Sequence, residues 1–167
     1  MPQETIEQYK ERILGLVKPS EEPLEILKTT IGRIEKALNG ISPERLQEKK
    51  DDKWSAAEIL AHYTEGEIVF GYRIRIVLSS SGIQIQAYDQ NVFMQNAKYL
   101  VARPDMALAL LRNLRRTNVE FLKSLTPEQW DHYGIHSERG KETIRDIVRL
   151  YAGHDLNHLQ QLERLQQ

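Results

Sequence analysis

Apolar residues recur along most of this chain at intervals of three and four, the spacing that places side chains on one face of an α-helix. The clearest stripe begins near Pro23, ends before Asn39-Gly40, and contains Leu24, Leu27, Ile31, Ile34 and Leu38. Similar stripes occur in three further segments. We therefore predict four long helices at about residues 23–39, 56–78, 105–125 and 143–165, after a short helix at about 5–17.

Helix-start signals support these boundaries. Thr5 with Gln8, and Ser55 with Glu58, have the spacing of a capping box, in which each pair satisfies backbone N–H groups of the first turn. The capping role explains Glu58 better than a role in chemistry. For the helix at 105–125, the predicted buried face is Leu110, Leu114, Thr117, Phe121 and Leu125.

The segments between the helices show no sustained strand pattern. Residues 83–86 alternate over only four positions, and the segment with Gly134 and Gly140 has the composition of a polar loop. The long crossover at 79–104 has room for a short helix. We predict an all-α fold in which residues 1–167 form one domain, a four-helix bundle with short extra helices.

Composition restricts the function. The chain has 167 residues, 23 Lys and Arg against 24 Asp and Glu, and no cysteine. The charge balance gives no general electrostatic attraction for nucleic acid or an anionic membrane, and the absence of cysteine excludes thiol nucleophiles and zinc ribbons. No apolar run approaches the roughly 20 residues that span a bilayer, and no secretory leader is visible. We expect a cytoplasmic protein with neither a nucleic-acid nor a membrane partner.

Histidines occupy positions where a bundle core normally holds apolar residues. His154 and His158 lie one turn apart on the inward face of the last helix, and His62 lies on the inward face of the helix at 56–78, one turn before Gly66. Three imidazoles with an open position suit a divalent first-row metal. Hydrogen-bonded core histidines would have the same spacing, so both interpretations stay open at this point.

At these positions the sequence resembles the DinB/YfiT-like superfamily over about residues 20–165. The resemblance rests on widely separated blocks: Trp54-Ser55-x-x-Glu58-x-x-x-His62, Glu65-x-Glu67, Tyr72-Arg73, Trp130-Asp131, His136-x-x-x-Gly140 and Gly153-His154-Asp155-x-x-His158-x-x-Gln161. It implies a bundle of up-down-down-up topology, a homodimer, and a divalent metal ion (zinc, nickel, iron or manganese) held by His62, His154 and His158. Many relatives carry Asp at the position of Glu65.

The resemblance also implies the chemistry. Relatives include thiol-dependent S-transferases and an isomerase that use low-molecular-weight thiols such as bacillithiol or mycothiol, and others regarded as metal-dependent hydrolases. We therefore expect a metal-dependent small-molecule enzyme in which a thiol or a water attacks a small electrophile, with a low-molecular-weight thiol as a possible co-substrate. The alternative is a metal-binding or structural homodimer without catalytic activity, in which the metal shell is closed.

Other residues have weaker cases. Glu65 is a weak candidate for a general base or for orienting His62, against an ordinary solvated carboxylate. Asp155 follows His154 and is a candidate for orienting a ligand, unless it faces a neighbouring helix. Arg73 lies on the His62 face and could hold an anionic substrate group or pair with a buried carboxylate.

Three further groups are interpreted as part of the surface. Tyr88 and Asp89 lie in the crossover, where ordinary loop packing is the safer interpretation than closure over a pocket. His132 and His136 are expected in a surface loop near the bundle mouth, outside the metal shell. The basic cluster of Arg112, Arg115 and Arg116 is expected to be a solvated face paired with carboxylates.

Overall fold

The computed structural model describes residues 4–50 and 53–164, and the predicted four-helix bundle is confirmed. In chain order the helices are α1 (Ile6–Leu14), α2 (Pro23–Leu38), α3 (Pro43–Leu46), α4 (Ala56–Ser79), α5 (Gln90–Asn96), α6 (Lys98–Val101), α7 (Pro104–Lys123) and α8 (Ile144–Glu163). Helices α2, α4, α7 and α8 form the bundle. No helix in the described ranges is both long and apolar enough to cross a membrane. The predicted end of the last helix at residue 165 lies outside the described residues.

The predicted capping boxes start α1 and α4. The hydroxyl oxygens of Thr5 and Ser55 accept hydrogen bonds from the backbone N–H groups of Gln8 and Glu58, whose side chains accept from the cap N–H groups in return. A third box, with Thr143 as the cap, starts α8. These bonds satisfy N–H groups that have no partner within the helix, so they fix where each helix begins.

Helices α4 and α7 run parallel to one another. The Thr64 hydroxyl donates to the carbonyl of Ala107 at 3.0 Å, and further along both helices Arg75 donates to the Asn118 side chain at 2.8 Å. Two parallel neighbours cannot be joined by a short loop, so the chain returns through the long segment that contains α5 and α6.

Helix α8 runs antiparallel to α4. The Tyr63 hydroxyl donates to the carbonyl of Asp155 at 2.6 Å, whereas Phe70, two turns later on α4, stacks on Tyr151, one turn earlier on α8. The residue numbers of the contacting positions therefore increase along α4 while they decrease along α8. This arrangement turns the inward faces of α4 and α8 toward each other.

Helix α2 runs parallel to α8, which completes the topology. Leu27 and Asp155 both bind the guanidinium of Arg115, and six residues later on α2, Arg33 pairs with Glu163 at 3.0 Å. The directions of α2, α4, α7 and α8 are therefore up, down, down and up, as the family resemblance implied.

The buried face of α7 differs from the predicted one. The predicted stripe is partly or fully exposed, and the buried positions are Pro104, Ala107, Leu111, Arg115, Asn118, Val119 and Leu122. The prediction was wrong by about one position because the true stripe contains two polar residues, Arg115, which was expected on a solvated face, and Asn118. Both are bonded to α4: Asn118 donates to Glu67 at 2.8 Å, and Arg115 donates to the same carboxylate.

A small sheet, which the sequence did not predict, packs at one end of the bundle. Strands β1 (Ile83–Ile85) and β2 (Tyr133–His136) pair in parallel, and β2 pairs antiparallel with β3 (Gly140–Thr143). The segment interpreted as a polar loop is therefore a hairpin, and Gly140 at its turn has φ +74°. A Cβ at Gly134 would come within 3.0 Å of Val77 and closer to Ile85, so glycine lets the sheet approach α4.

The short helix α1 lies directly on α8. An ideal Cβ at Gly153 would lie 2.2 Å from the carbonyl oxygen of Ile13, so only glycine permits this approach. Arg12 also donates to Asn157 of α8 at 2.9 Å. The contact is at the turn of α8 that carries His154, so α1 is held beside the predicted site.

Candidate metal centre

The three predicted ligands converge between α4 and α8. One ring nitrogen from each of His62, His154 and His158 lies within 4.8 Å of the others, and the Nε2 atoms of His62 and His154 are 2.8 Å apart. Within the described ranges no carboxylate joins this group. The convergence follows from the antiparallel pairing, because the inward face of α4 meets the inward turn of α8 that carries the other two rings.

Burial keeps these imidazoles neutral. Desolvation, with a smaller contribution from His158, lowers the pKa of His62 to about 3, and desolvation lowers that of His158 to about 4. The pKa of His154 is also lowered, well below its usual range, by burial first and then by the other two histidines. All three are therefore unprotonated at pH 7, the form in which histidine binds a metal ion.

Neighbouring side chains fix the orientation of the His158 ring, whereas Nδ1 of His154 is buried without a hydrogen-bond partner in the described part of the chain. The Oε1 atom of Gln161 lies 3.2 Å from Nδ1 of His158, and because a carbonyl oxygen can only accept, Nδ1 carries the hydrogen and Nε2 keeps a lone pair. Trp54 stacks on His158 at 6.1 Å between ring centroids and covers His62 at 4.8 Å. Metal-binding histidines commonly have such a hydrogen-bonded partner on the other nitrogen.

Gly66 makes room for an aromatic side chain beside the cluster. A Cβ there would lie 2.6 Å from the hydroxyl oxygen of Tyr151, whose ring packs 5.4 Å from that of His154. Gly66, one turn after His62, therefore leaves space on this face of α4, and Tyr151 fills that space.

A cavity of about 700 Å³ adjoins the cluster. His62 and His154 form part of its wall, and Arg73 lies in the same wall, as the sequence suggested. Tyr88 and Asp89 of the crossover also line the cavity, so their position is not ordinary loop packing alone. Its volume is in the range of small-molecule sites.

Two weaker predictions are corrected by the contacts. Glu65 does not line this cavity; its carboxylate accepts a hydrogen bond from Tyr99 of α6 at 3.1 Å. The carboxylate of Asp155 binds Arg115 and none of the three histidines, so its side chain faces away from the cluster. Whether Glu65 and Asp155 contact the cluster depends on the direction of their side chains on α4 and α8, and sequence spacing alone does not give that direction.

The basic cluster on α7 is also corrected. Arg112 and Arg116 are exposed, but the side chain of Arg115 is only 2% exposed. Its guanidinium contacts Glu67 at 2.8 Å and Asp155 at 2.6 Å, and donates to the carbonyl of Leu27 at 2.9 Å. One cation therefore links all four bundle helices. A detectable signal existed, since Arg115 lies at helical spacing between Leu111 and Leu122.

Further cavity residues were not found from the sequence. His136 is not in a surface loop; it lies in β2, is 2% exposed, and lines the cavity together with Arg139 and Tyr9 of α1. His132 is half-buried and does not line the cavity. The alternation over β2 is too short to separate a buried from an exposed histidine, so no local signal distinguished the two.

The fold and site define a helical bundle with three inward-facing histidines beside a cavity. Residues 26–162 match the sequence profile of the DinB superfamily, and the chain belongs to that family. The chain is similar to "Putative metal-dependent hydrolase YfiT" of Bacillus subtilis (strain 168), with 22% identity over 163 residues, 96% of this chain and 91% of that protein.

Two further comparisons agree. "Putative metal-dependent hydrolase OB0782" of Oceanobacillus iheyensis is 20% identical over 112 residues, which are 67% of this chain and 64% of that protein. A solved structure of YfiT from Bacillus subtilis, described as having an unusual four-helix bundle topology, superposes with a TM-score of 0.76 at 20% identity. It covers 98% of this chain and 91% of that one, and supports the fold.

Proposed function

We propose that this protein is a metal-dependent enzyme acting on a small molecule, with His62, His154 and His158 as the ligands of one divalent ion. The observation that carries the proposal is the convergence of three ring nitrogens within 4.8 Å of one another at the wall of a 700 Å³ cavity. A metal centre used only for structure is usually closed by four protein ligands and has no adjoining cavity.

The donor set fits such an ion. All three rings are neutral at pH 7, and three nitrogen ligands leave a coordination position for a small molecule. When bound in such a site, a divalent ion lowers the pKa of a coordinated water and polarises a carbonyl group. Zinc, nickel, iron and manganese all accept imidazole ligands, so the donor set does not choose among them.

The protein's own side chains supply orientation and exclude water. Gln161 holds the ring of His158 through Nδ1, and Trp54 packs against the rings of His62 and His158. Preorganised ligands of this kind need little rearrangement during a reaction. The cavity gives a small substrate access to His62 and His154.

Hydrolysis is the reaction that we propose first. Both curated relatives carry the name of a metal-dependent hydrolase, and that name supports the same class here. Attack by a low-molecular-weight thiol in place of water would use the same ligands. Because the chain has no cysteine, such a thiol would be a co-substrate.

Metal content is the deciding measurement. Elemental analysis of tag-free protein is expected to find about one divalent ion per chain in the wild type and none in His154→Ala. His136→Ala is the matched control, because this histidine is buried in the same cavity but outside the cluster. Full metal content in His154→Ala would refute the assignment of these ligands.

Activity is then tested with the loaded protein. A panel of small esters and amides, with and without an added thiol, is expected to give turnover in the wild type that His154→Ala lacks. Turnover without thiol supports hydrolysis, and turnover only with thiol supports transfer. Stoichiometric metal without any turnover on the panel would favour the non-catalytic alternative.

We also propose a cytoplasmic homodimer, as the family resemblance implies. Ile68 and Tyr72, one turn apart on α4, are 43% and 63% exposed and form the face that we propose for the contact. Exposed apolar side chains that adjoin one another are typical of association surfaces. Sedimentation of the purified protein tests this part independently of metal content.

A further inference from the structure

Two arginines line the cavity, and Arg73 is the one that lies on α4, away from the histidines; the other, Arg139, is paired with Glu142. Arg73 follows His62 by eleven residues, which is about 16 Å along a helix axis. Its guanidinium packs 5.3 Å from the ring centroid of Tyr88, and Nη2 donates to the carbonyl of Gln86 at 3.0 Å. The side chain is therefore held in place at the cavity wall.

This guanidinium has no carboxylate partner. Among the described residues no Asp or Glu oxygen lies within 4.0 Å of it, so it forms none of the ion pairs of the structure. The carboxylates near the same cavity have other partners or are exposed. Glu4 pairs with Arg12, Glu142 pairs with Arg139, and Asp89 accepts hydrogen bonds from N–H groups of α5, while Glu138 is exposed to solvent. Burial lowers the pKa of Arg73, and the neighbouring Arg139 adds to this. One positive charge is left uncompensated at this wall.

The histidine beside Arg73 presents a second donor. Nδ1 of His136 accepts a hydrogen bond from the backbone N–H of Glu138 at 3.2 Å, so the hydrogen of this neutral ring is on Nε2. That Nε2 lies 3.4 Å from Nη2 of Arg73. The guanidinium of Arg73 and this ring nitrogen both line the cavity, so a single anionic oxygen group can accept hydrogen bonds from both.

Between Arg73 and the histidine cluster, the cavity wall includes aromatic and aliphatic side chains of α4 and α8. Phe70 and Tyr151 stack at 4.2 Å, and Ile147 and Leu150 of α8 complete the surface. An apolar body fits this stretch, and a single negative charge matches the single uncompensated cation. A doubly charged group such as phosphate would carry more negative charge than this single cation can neutralise.

We propose that Arg73 and His136 form a carboxylate-binding subsite, and that the substrate is a small carboxylic acid whose apolar body extends toward the histidine cluster. The statement that the bound acid is a substrate rests on the proposed function. The subsite itself depends only on the donors of α4 and β2.

Binding of a carboxylate probe tests the subsite without turnover. Isothermal titration of 4-phenylbutyrate is compared with its uncharged amide, 4-phenylbutyramide, on chelator-treated and on metal-loaded protein. The variants are Arg73→Gln and Arg73→Lys. Arg116→Gln is the matched control, because it removes the same charge from an exposed position of α7. Circular dichroism and thermal unfolding confirm that each variant folds.

The carboxylate is expected to bind the metal-free wild type and Arg116→Gln equally, and to bind Arg73→Gln at least about 10-fold more weakly. Arg73→Lys should recover part of the loss, and the amide should bind as weakly to the wild type as the carboxylate does to Arg73→Gln. Equal affinity for acid and amide, unchanged affinity in Arg73→Gln, or no saturable binding of the acid would each overturn the subsite.

The metal-free arm separates this inference from the proposed function. Carboxylate binding that requires Arg73 in chelator-treated protein supports the subsite even if the purified protein holds no metal. If the carboxylate binds only after metal loading, and equally well to the wild type and to Arg73→Gln, the acid binds the metal ion. That result would overturn the subsite and support the metal centre.

Discussion

Replacing Arg115 by methionine should destabilise the protein strongly. Methionine keeps much of the apolar stem but removes the cation, and leaves the carboxylates of Glu67 and Asp155, both 0% exposed, without a counter-charge. Breaking a buried ion pair by removing one partner costs about 3–5 kcal/mol. For a protein of this length, this is a fall of roughly 6–20 °C in the melting temperature.

Urea unfolding of the metal-free protein, followed by circular dichroism, measures the loss without a contribution from bound metal. Burial already raises the pKa of Asp155 although Arg115 is present, and without that cation the folded state should favour the protonated carboxyl further. A carboxyl whose folded pKa is raised stabilises the fold as pH falls. The deficit of Arg115→Met should therefore be largest near pH 7 and smaller near pH 5.

Two controls make this prediction decisive. Arg116→Met removes an exposed arginine from the same helix and should change the unfolding free energy by under about 0.5 kcal/mol. Adding Glu67→Gln and Asp155→Asn to Arg115→Met removes both orphaned charges and should recover more than half of the loss. A loss below about 1 kcal/mol at pH 7, or a deficit that grows in acid, would show that Arg115 does not hold the bundle together.

Three other predictions concern the site and its surface. The pKa values of His62 and His158 are lowered to about 3 and about 4, so the unfolded chain takes up protons on these residues at a higher pH than the folded chain does. The free energy of unfolding of the metal-free protein should therefore fall by up to about 1.4 kcal/mol per pH unit for each histidine between pH 6 and 5. A urea midpoint that does not change over this range contradicts this. Glu65→Gln should keep metal and turnover within about twofold, since Glu65 binds Tyr99; lost turnover with retained metal would restore its role as a base. Tyr72→Lys should convert a dimer to a monomer in sedimentation; an unchanged dimer excludes this face.

The periodic features of the fold could be predicted from the sequence. Each long helix has an apolar stripe and most have a start signal, and the inward histidines of α4 and α8 follow from the same periodicity. Their meeting point also depends on the antiparallel pairing of α4 with α8, which the family resemblance supplied. Local spacing alone left a core interpretation open for all three rings.

The remaining features depend on contacts between distant parts of the chain. Strand β1 has only three residues and becomes a strand because β2, about fifty residues away, pairs with it. Arg115 is buried because carboxylates from two other helices meet it. Its spacing between Leu111 and Leu122 places it on the inward face of α7 but does not identify these partners. The donor pair of Arg73 and His136 likewise forms only when β2 packs beside α4.

The ligands and one part of the cavity wall come from different regions of the chain, because helix α1 contributes to the wall but holds none of the three histidines. The histidines lie within residues 26–162, the part that matches the family, whereas Tyr9 of the cavity wall lies before it. Substitutions in the first helix can therefore reshape the cavity without touching the ligands. The contact between Ile13 and Gly153 anchors α1 to the helix that carries two of the three histidines. This part of the cavity wall and two of the three ligands thus belong to separate helices that meet at one close backbone contact.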